Sequence, residues 1–333
     1  MSNRINFIDF LRGFTIIIVI LYHITFFHSG TSSIRTYSTP FFMQLFFFAS
    51  GLFFSARSSF KDYLLNKINR LLIPLLFFYL LSYAVGYFAS DILGLGAKGV
   101  MDKFEWRFLL DLFNGEEVFH YGGAIWFLIC LFNVLIIYYF INKITLPIIR
   151  LIVSLAISII GYYICAYVNL PYFLDSAMTM MFFFALGHFL KGNPIIFEKS
   201  RLDIWFLLIS LSGFIIIVNN FRVSSKVMQN EYEGGFILFL SAAILGIASV
   251  FFFSKKIKSY SFISFFGINS LIILGTHQIV INVVSVILKR ILHIDHYIGA
   301  ITNLLITLSI EYAIVIILSR LVPWLVAKKD LIK

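Results

Sequence analysis

The chain alternates between long apolar runs and short polar segments rich in Lys and Arg. Runs of about 20 apolar residues are typical of helices that cross the hydrocarbon core of a membrane. The pattern predicts ten spans, at 10–28, 38–56, 71–89, 124–141, 149–168, 174–190, 203–219, 235–253, 266–288 and 298–318. We therefore expect an all-α fold, a polytopic membrane helical bundle formed by a single integral-membrane domain over residues 1–333.

The basic residues between the spans predict how the bundle lies in the membrane. If the amino terminus is cytoplasmic, most of the 26 Lys and Arg fall on the cytoplasmic side, as the positive-inside rule requires. An even number of spans then places both termini in the cytoplasm. The expected location is a bacterial inner membrane, which the chain crosses many times.

Composition agrees with this class and explains the charge. The chain is 60% hydrophobic and 13% charged, whereas soluble domains carry about 25% charged residues. Forty Phe and six Pro favour packed helices over a β-barrel, whose strands alternate polar and apolar residues. Because the positive charges lie in loops, the net charge of +10 predicts contact with membrane lipid and not with nucleic acid. Cys130 and Cys165 lie inside apolar runs, so neither a disulfide nor a metal site is expected.

The first span carries polar side chains that lipid disfavours. Arg12 and His23 are separated by about three helical turns, so both lie on one face of the helix, about 16 Å apart. Asp9 precedes Arg12 by one turn and can pair with it. A cation near the cytoplasmic end and an imidazole deep in the bilayer indicate two ends of one site. The alternative is that Arg12 anchors the helix and His23 is a satisfied histidine of the bundle.

A basic segment at 57–74 is suited to meet a polyanion that arrives from the cytoplasm. Its Lys61, Lys67 and Arg70 share much of one face if the segment is helical. Such groups bind the phosphates of a nucleotide-bearing donor. The alternative is that they only fix the topology or contact lipid headgroups.

The predicted outer end of the fourth span combines acidic and aromatic side chains. Glu116, Glu117 and His120 precede Trp126 there. Aromatic rings beside carboxylates suit a sugar, which they bind by stacking and by hydrogen bonds to hydroxyl groups. Tyr and Trp are also ordinary residues of the membrane interface, so the sequence leaves both interpretations open.

Two further ionisable residues, His277 and Glu311, lie within the ninth and tenth predicted spans. Either can be a satisfied buried group that pairs across helices, but together with His23 they favour a functional cavity. Ser50 and Gly51, at the end of the second span, are interpreted as a helix-packing site. No P-loop and no GxSxG motif occurs in the sequence, which argues against an ATP-driven pump and a serine hydrolase.

Several short motifs follow one another in an order that resembles a known family. The chain opens with R-x-x-x-I-D-x-L-R-G at 4–13, and ten residues separate Arg12 from His23. The series continues with Ser-Gly at 50–51, KINRLLIP at 67–74, WFL at 126–128 and NSLIILGTHQ at 269–278. In this order they resemble the membrane acyltransferase-3 family, most closely its short bacterial branch of fucose 4-O-acetylase-like and enterobacterial common antigen O-acetyltransferase-like members.

The resemblance implies an enzyme that moves an acyl group, usually acetyl, from cytoplasmic acyl-CoA to a hydroxyl of a cell-surface glycan or its lipid-linked precursor. Acetyl-CoA would be a donor substrate, and no cofactor would be tightly bound. His23 would be the catalytic base, with Arg12 and Asp9 in the same motif. Lys67 and Arg70 stand where members often have an Arg-x-x-Arg pair, although Lys67 lacks the bidentate fork of Arg.

These assignments predict an order of events. Acyl-CoA docks from the cytoplasm on Lys67, Arg70 and Arg12, and His23 then acts as a base or carries the acyl group transiently. The glycan is held at the outer side by four residues, Trp126, His120, Glu116 and Glu117. The main alternative is a polysaccharide-unit exporter or flippase, which would need no acyl donor. Another is a sensor or scaffold, in which His23 could be replaced with little effect.

Overall fold

The computed structural model describes residues 6–56, 59–92, 123–164, 167–168, 170–193, 197–257 and 261–332. Its helices are α1 (Asn6–Ile24), α2 (Ser32–Ser38), α3 (Phe42–Leu52), α4 (Phe60–Lys67), α5 (Ile73–Ile92), α6 (Trp126–Ile141), α7 (Pro147–Ile164), α8 (Leu174–Lys191), α9 (Asp203–Phe221), α10 (Phe236–Lys256), α11 (Ser261–Ile268), α12 (Ser270–Val286) and α13 (His296–Leu321). Short π-helical turns at Ile68–Leu72 and Ile287–Ile291 continue α4 and α12. The strands are β1 (Ser225–Lys226) and β2 (Glu231–Tyr232), which pair antiparallel.

Nine helical segments among the described residues are long and apolar enough to cross a membrane. They are Phe7–Ile24, Phe60–Val85, Gly123–Ile141, Pro147–Ile164, Pro171–Lys191, Asp203–Phe221, Phe236–Lys256, Ser270–Ile291 and His296–Leu321. Each overlaps a predicted span, although Phe60–Val85 begins eleven residues before the span predicted at 71–89. The all-α polytopic membrane fold is thereby confirmed.

The predicted span at 38–56 differs from the others because its helix is short. Helix α3 has 11 residues and a length of about 16 Å, so a full-length helix over 38–56 was a wrong prediction. The helix nevertheless crosses the depth that α1 covers between Tyr22 and Arg12. The Phe42 ring lies 5.1 Å from the Tyr22 ring, and the Arg12 guanidinium lies 5.9 Å from the Phe53 ring. All residues of α3 except Ser50 are buried, so neighbouring helices shield this short crossing.

Helix α3 lies against α8 at backbone contact distance. A Cβ on Gly51 would lie 2.0 Å from the carbonyl oxygen of Phe184, and a Cβ on Gly187 would lie 2.0 Å from that of Phe48. Small residues permit this approach in membrane helices. The structure therefore supports the interpretation of the Ser-Gly pair as a helix-packing site.

Helix α1 is fixed at its first turns and just beyond its end. A Cβ on Gly13 would lie 1.9 Å from the carbonyl oxygen of Ile263 in α11. Beyond its other end, His28 Nδ1 lies 3.2 Å from Asp295 Oδ1, and Ser29 donates its backbone N–H to the same oxygen. Burial raises the pKa of Asp295, but hydrogen bonds from the His296 backbone N–H and from Ser29 outweigh it and hold that pKa below its ordinary value. These contacts set the position of the polar face of α1.

Both described ends of the chain lie on the same side of the bundle, at the start of α12. Arg12 donates to Ser270 Oγ at 3.2 Å, and Lys328 Nζ donates to Asn269 Oδ1 at 2.6 Å. We call this the Arg12 side and the opposite side the His23 side. That the Arg12 side faces the cytoplasm stays a prediction.

Candidate active site

A cavity of about 580 Å³ occupies the His23 side of the bundle. His23 lines it together with Trp126, Tyr22, Phe26 and Phe42. Residues from α1, α2, α3, α12 and the β1–β2 hairpin complete the wall. A largely apolar wall with four aromatic rings around one imidazole is the kind of cavity that binds a small ligand or a sugar unit.

Gln278 fixes the orientation of the His23 ring. Its Nε2 lies 3.2 Å from Nδ1 and 3.3 Å from Nε2 of His23, so the amide is within hydrogen-bond distance of either ring nitrogen. The Gln278 Oε1 accepts the backbone N–H of Ala124 at 3.3 Å. Because that bond assigns the oxygen, the amide nitrogen is the group left to donate to His23. The imidazole is therefore held at the cavity wall as an acceptor.

His277 lies directly behind His23, away from the cavity. The two ring centroids are 5.1 Å apart. His277 Nδ1 lies 2.8 Å from the carbonyl oxygen of Ile273, which makes Nδ1 the protonated nitrogen. The other nitrogen, Nε2, has no hydrogen-bond partner among the described residues. His277 can support the His23 ring by packing but does not line the cavity.

Glu311 is fully buried between α12 and α13. Its Oε2 accepts a hydrogen bond from Thr276 Oγ1 at 2.7 Å. The other oxygen has no partner among the described residues. Glu311 does not line the His23 cavity. Its contact is with Thr276, the residue that precedes His277 in α12.

Arg12 lines a second, narrow cavity of about 90 Å³. Ser50, Ser270 and Leu274 are among its other lining residues. The Arg12 guanidinium donates to Ser270 and lies over the Phe53 ring, so its charge is held inside the bundle. Asp9 is buried at 5% exposure, and its pairing with Arg12 stays a prediction.

A third cavity, of about 250 Å³, lies at the Arg12 side of the bundle. Arg70, Lys328 and Asn269 provide its polar lining. The Arg70 Nη2 atom lies 3.1 Å from Asp330 Oδ1, and the side chain also donates to the carbonyl oxygen of Ala327. The segment after α13 therefore folds back over the π-helical turn that carries Arg70.

Shared lining residues show that the three cavities lie next to one another in a row. Leu71 and Leu271 line both the Arg70 cavity and the Arg12 cavity. Leu274 lines both the Arg12 cavity and the His23 cavity. Arg12, Arg70 and Lys328 line the two cavities at one end, and His23 lines the cavity at the other end, together with Arg35 and Lys226. A thin, extended chain with an anionic head fits such a path better than a bulky ligand does.

The match to a family model decides what kind of protein this is. The model for the acyltransferase-3 family, described as an acyltransferase domain, matches residues 5–328. The chain belongs to the acyltransferase-3 family. No curated protein and no solved structure matches the chain. Family membership and the membrane-spanning helices together identify a multi-pass membrane acyltransferase.

The structure of this acyltransferase brings some predicted residues together and not others. His23 and Trp126 line one cavity, and Arg12 and Arg70 line the two that follow. Lys67 lines none of these three cavities, and its ammonium lies 4.8 Å from the Tyr63 ring. Three predicted acceptor-binding residues lie outside the described residues, namely Glu116, Glu117 and His120.

The sequence analysis did not single out three residues that contact the polar groups of the site, namely Ser270, Gln278 and Lys328. Ser270 and Gln278 stand near the two ends of the NSLIILGTHQ motif, on one face of α12. They follow the same order as the two polar groups of α1, because α1 and α12 run parallel with Arg12 at Ser270 and His23 at Gln278. The spacings differ, since eight positions separate Ser270 from Gln278 and eleven separate Arg12 from His23. Nothing local marks Lys328, since only the fold brings the end of the chain to Asn269.

Proposed function

We propose that this acyltransferase moves an acetyl group from cytoplasmic acetyl-CoA to a hydroxyl of a cell-surface glycan or its lipid-linked precursor. We place it in a bacterial inner membrane, with the Arg12 side in the cytoplasm. The observation that carries the proposal is the position of His23. His23 lines the wide cavity, and Leu274, which lines that same cavity, also lines the narrow Arg12 cavity that adjoins it.

The donor half of the proposal uses the cations of the Arg12 side. Arg70 and Lys328 line the outermost cavity and are suited to bind the phosphates of acyl-CoA, with Lys67 nearby in sequence. Guanidinium and ammonium groups bind phosphate by charge-assisted hydrogen bonds. The pantetheine arm then passes Arg12 and Leu274, and the thioester carbonyl reaches His23. The width of the path selects an extended arm.

The acceptor half places a sugar in the His23 cavity, against the rings of Trp126 and its aromatic neighbours. Glu116, Glu117 and His120 contribute hydrogen bonds to its hydroxyl groups. His23 removes the proton from the acceptor hydroxyl, and the oxygen attacks the thioester carbon. A C–O bond forms, the C–S bond breaks, and the proton moves from His23 to the departing CoA thiolate. In a two-step variant, His23 carries the acyl group before the hydroxyl receives it.

Labelled acetyl-CoA tests the proposal in membranes that contain the wild type or His23→Ala. We expect labelled glycan from the wild type and a loss of about 100- to 10,000-fold in the variant, which is the usual contribution of a general base. The control is His293→Asn, because His293 is an exposed histidine of the same side at positive φ, which Asn tolerates. Equal label from wild type and His23→Ala would overturn the catalytic role. Glycan export that needs no acyl donor would favour the exporter.

A further inference from the structure

The wall of the His23 cavity is cationic as well as aromatic. Among its described lining residues, Arg35 and Lys226 carry positive charge and none carries negative charge. A neutral sugar needs no cation for its recognition, because ring stacking and hydroxyl hydrogen bonds suffice. The charge of this wall therefore bears on the chemical class of the acceptor.

Lys226 has a carboxylate partner within the protein. Its Nζ lies 2.8 Å from Glu231 Oε2 across the β1–β2 pair. Both side chains are more than half exposed, at 59% and 60%. Solvent and salt screen such a pair strongly. Lys226 thus contributes little unbalanced charge to the cavity.

Arg35 has no carboxylate partner among the described residues, whose ion pairs join other side chains. Its guanidinium lies 5.0 Å from the centroid of the Phe26 ring, a cation–π contact that orients the planar group without using its N–H donors. Helix α2 is itself held in place, because Tyr37 donates to Asn219 Oδ1 at 2.5 Å. A positioned guanidinium with free donors at a cavity is suited to bidentate recognition of a carboxylate or phosphate.

The reactive imidazole and this guanidinium are close enough to meet one glycan. The Phe26 ring lies 6.3 Å from the His23 ring and also carries the Arg35 guanidinium. His23 and Arg35 both line the same cavity. An oligosaccharide with a hydroxyl at His23 can therefore place a neighbouring anionic group at Arg35.

We propose that the acceptor is an anionic glycan whose oxyanion binds Arg35 at the rim of the His23 cavity. This inference rests on the proposed function, because it names the acceptor class of that same site. The oxyanion is the carboxylate of an acidic sugar or the phosphate that links a glycan to its lipid carrier. Both present the paired oxygens that a guanidinium binds.

Binding and transfer by the full-length protein in lipid nanodiscs test the inference separately. The probes are a glucose disaccharide, its counterpart with one glucuronic acid, and the same neutral disaccharide linked to a short polyprenyl diphosphate. Without acetyl-CoA, we expect the wild type to bind one of the two anionic probes at least about tenfold more tightly than the neutral one, since hydrogen bonds between charged groups are about twice as strong as neutral ones. Which anionic probe wins identifies the source of the oxyanion.

The variant Arg35→Gln should abolish this preference and leave binding of the neutral probe unchanged. Arg35→Lys should retain part of it, because it keeps the charge but loses the fork. The matched control is Lys226→Gln, which removes a cation of the same wall and should change the preference less than Arg35→Gln. Equal binding of all three probes by the wild type, or an unchanged preference in Arg35→Gln, would overturn the inference. Anion-selective binding without any acyl transfer from acetyl-CoA would instead overturn the proposed function.

Discussion

The two sides of this bundle hold cavities of different width and chemistry. On the His23 side the cavity is about 580 Å³, with four aromatic residues near the imidazole. On the Arg12 side the cavities are about 90 and 250 Å³, and each contains an arginine. Each of these cavities carries a cation, with Arg35 and Lys226 in the wide one, so width and aromatic rings are what distinguish the side suited to a glycan from the side suited to the arm and phosphates of acyl-CoA. Under the proposed function, this difference in width lets donor and acceptor approach one imidazole from opposite sides.

The boundary between the two sides is one layer of side chains thick. Leu274 lines the cavities on both sides of it and has 7% exposure. His23 and Arg12 contact α12 on either side of this position, through Gln278 and Ser270. Helix α12 therefore holds both polar groups of α1 in register and also forms the constriction between them.

Blocking the constriction between the two sides should have the largest effect on acyl transfer. Leu274→Trp should lower the rate of acetyl transfer by about 100-fold or more, because displacing reacting groups by about 1 Å already costs that much. Acetyl-CoA affinity should change little, since the phosphate-binding cavity is not touched. Transfer assays and equilibrium binding of acetyl-CoA measure the two quantities. Leu274→Met is the control, because it conserves volume; undiminished transfer in the Trp variant would show that the acyl group takes another path.

Removing the central cation tests the donor side. Arg12→Ala should lower kcat/KM for acetyl-CoA by about 100-fold, since a hydrogen bond from a charged group contributes about 1.5–3 kcal/mol and each 1.36 kcal/mol is a factor of ten. The KM for the acceptor should stay the same. Arg12→Lys, which keeps the charge, should lose less. An equal loss of kcat/KM for acetyl-CoA and for the acceptor would mean that Arg12 stabilises the fold and does not bind the donor.

Removing the hydrogen bond from Gln278 tests whether the orientation of His23 matters for catalysis. Gln278→Ala should lower kcat by about fivefold, because one hydrogen bond contributes about 1 kcal/mol and each 1.36 kcal/mol is a factor of ten, and should leave the KM of both substrates unchanged. Steady-state kinetics with each substrate varied in turn separate these parameters. A rise in either KM at constant kcat would show instead that Gln278 binds a substrate.

Releasing Arg70 from its partner should have the smallest effect. The Arg70–Asp330 pair is 40% and 49% exposed, and such pairs contribute about 0–1 kcal/mol. Asp330→Asn should therefore lower the KM for acetyl-CoA by about two- to threefold, because a competing carboxylate is removed from a phosphate-binding group. Glu198→Gln, an exposed acidic site on the same side of the bundle, is the control. A higher KM in Asp330→Asn would place the donor's phosphates elsewhere.

Local pattern predicted most of the fold, because a membrane-spanning helix is defined by its own apolar length. It also predicted that Arg12 and His23 share a face, since helical periodicity alone decides this. It was wrong about the length of α3, because buried Phe residues extend the apolar run at 38–56 beyond the 11 residues that are helical. Apolar composition does not tell whether lipid or another helix covers a residue.

Partners across helices were harder to predict than the helices themselves. The contacts of Gln278 with His23 and of Ser270 with Arg12 depend on the parallel register of α1 and α12. Lys67 was predicted at the donor site from its place in the motif, and its part in donor binding stays a prediction. Its ammonium lies over the Tyr63 ring, a contact that the motif does not indicate.

Acyl transfer across a sealed membrane is the most direct test of the central claim, which is that donor and acceptor reach His23 from opposite sides. The protein is reconstituted in one orientation in sealed vesicles, with labelled acetyl-CoA on the Arg12 side and a glycan acceptor enclosed on the His23 side. We predict labelled glycan in this arrangement and none when both substrates are exchanged between the sides. Transfer that occurs only when both substrates are on the same side would contradict the account.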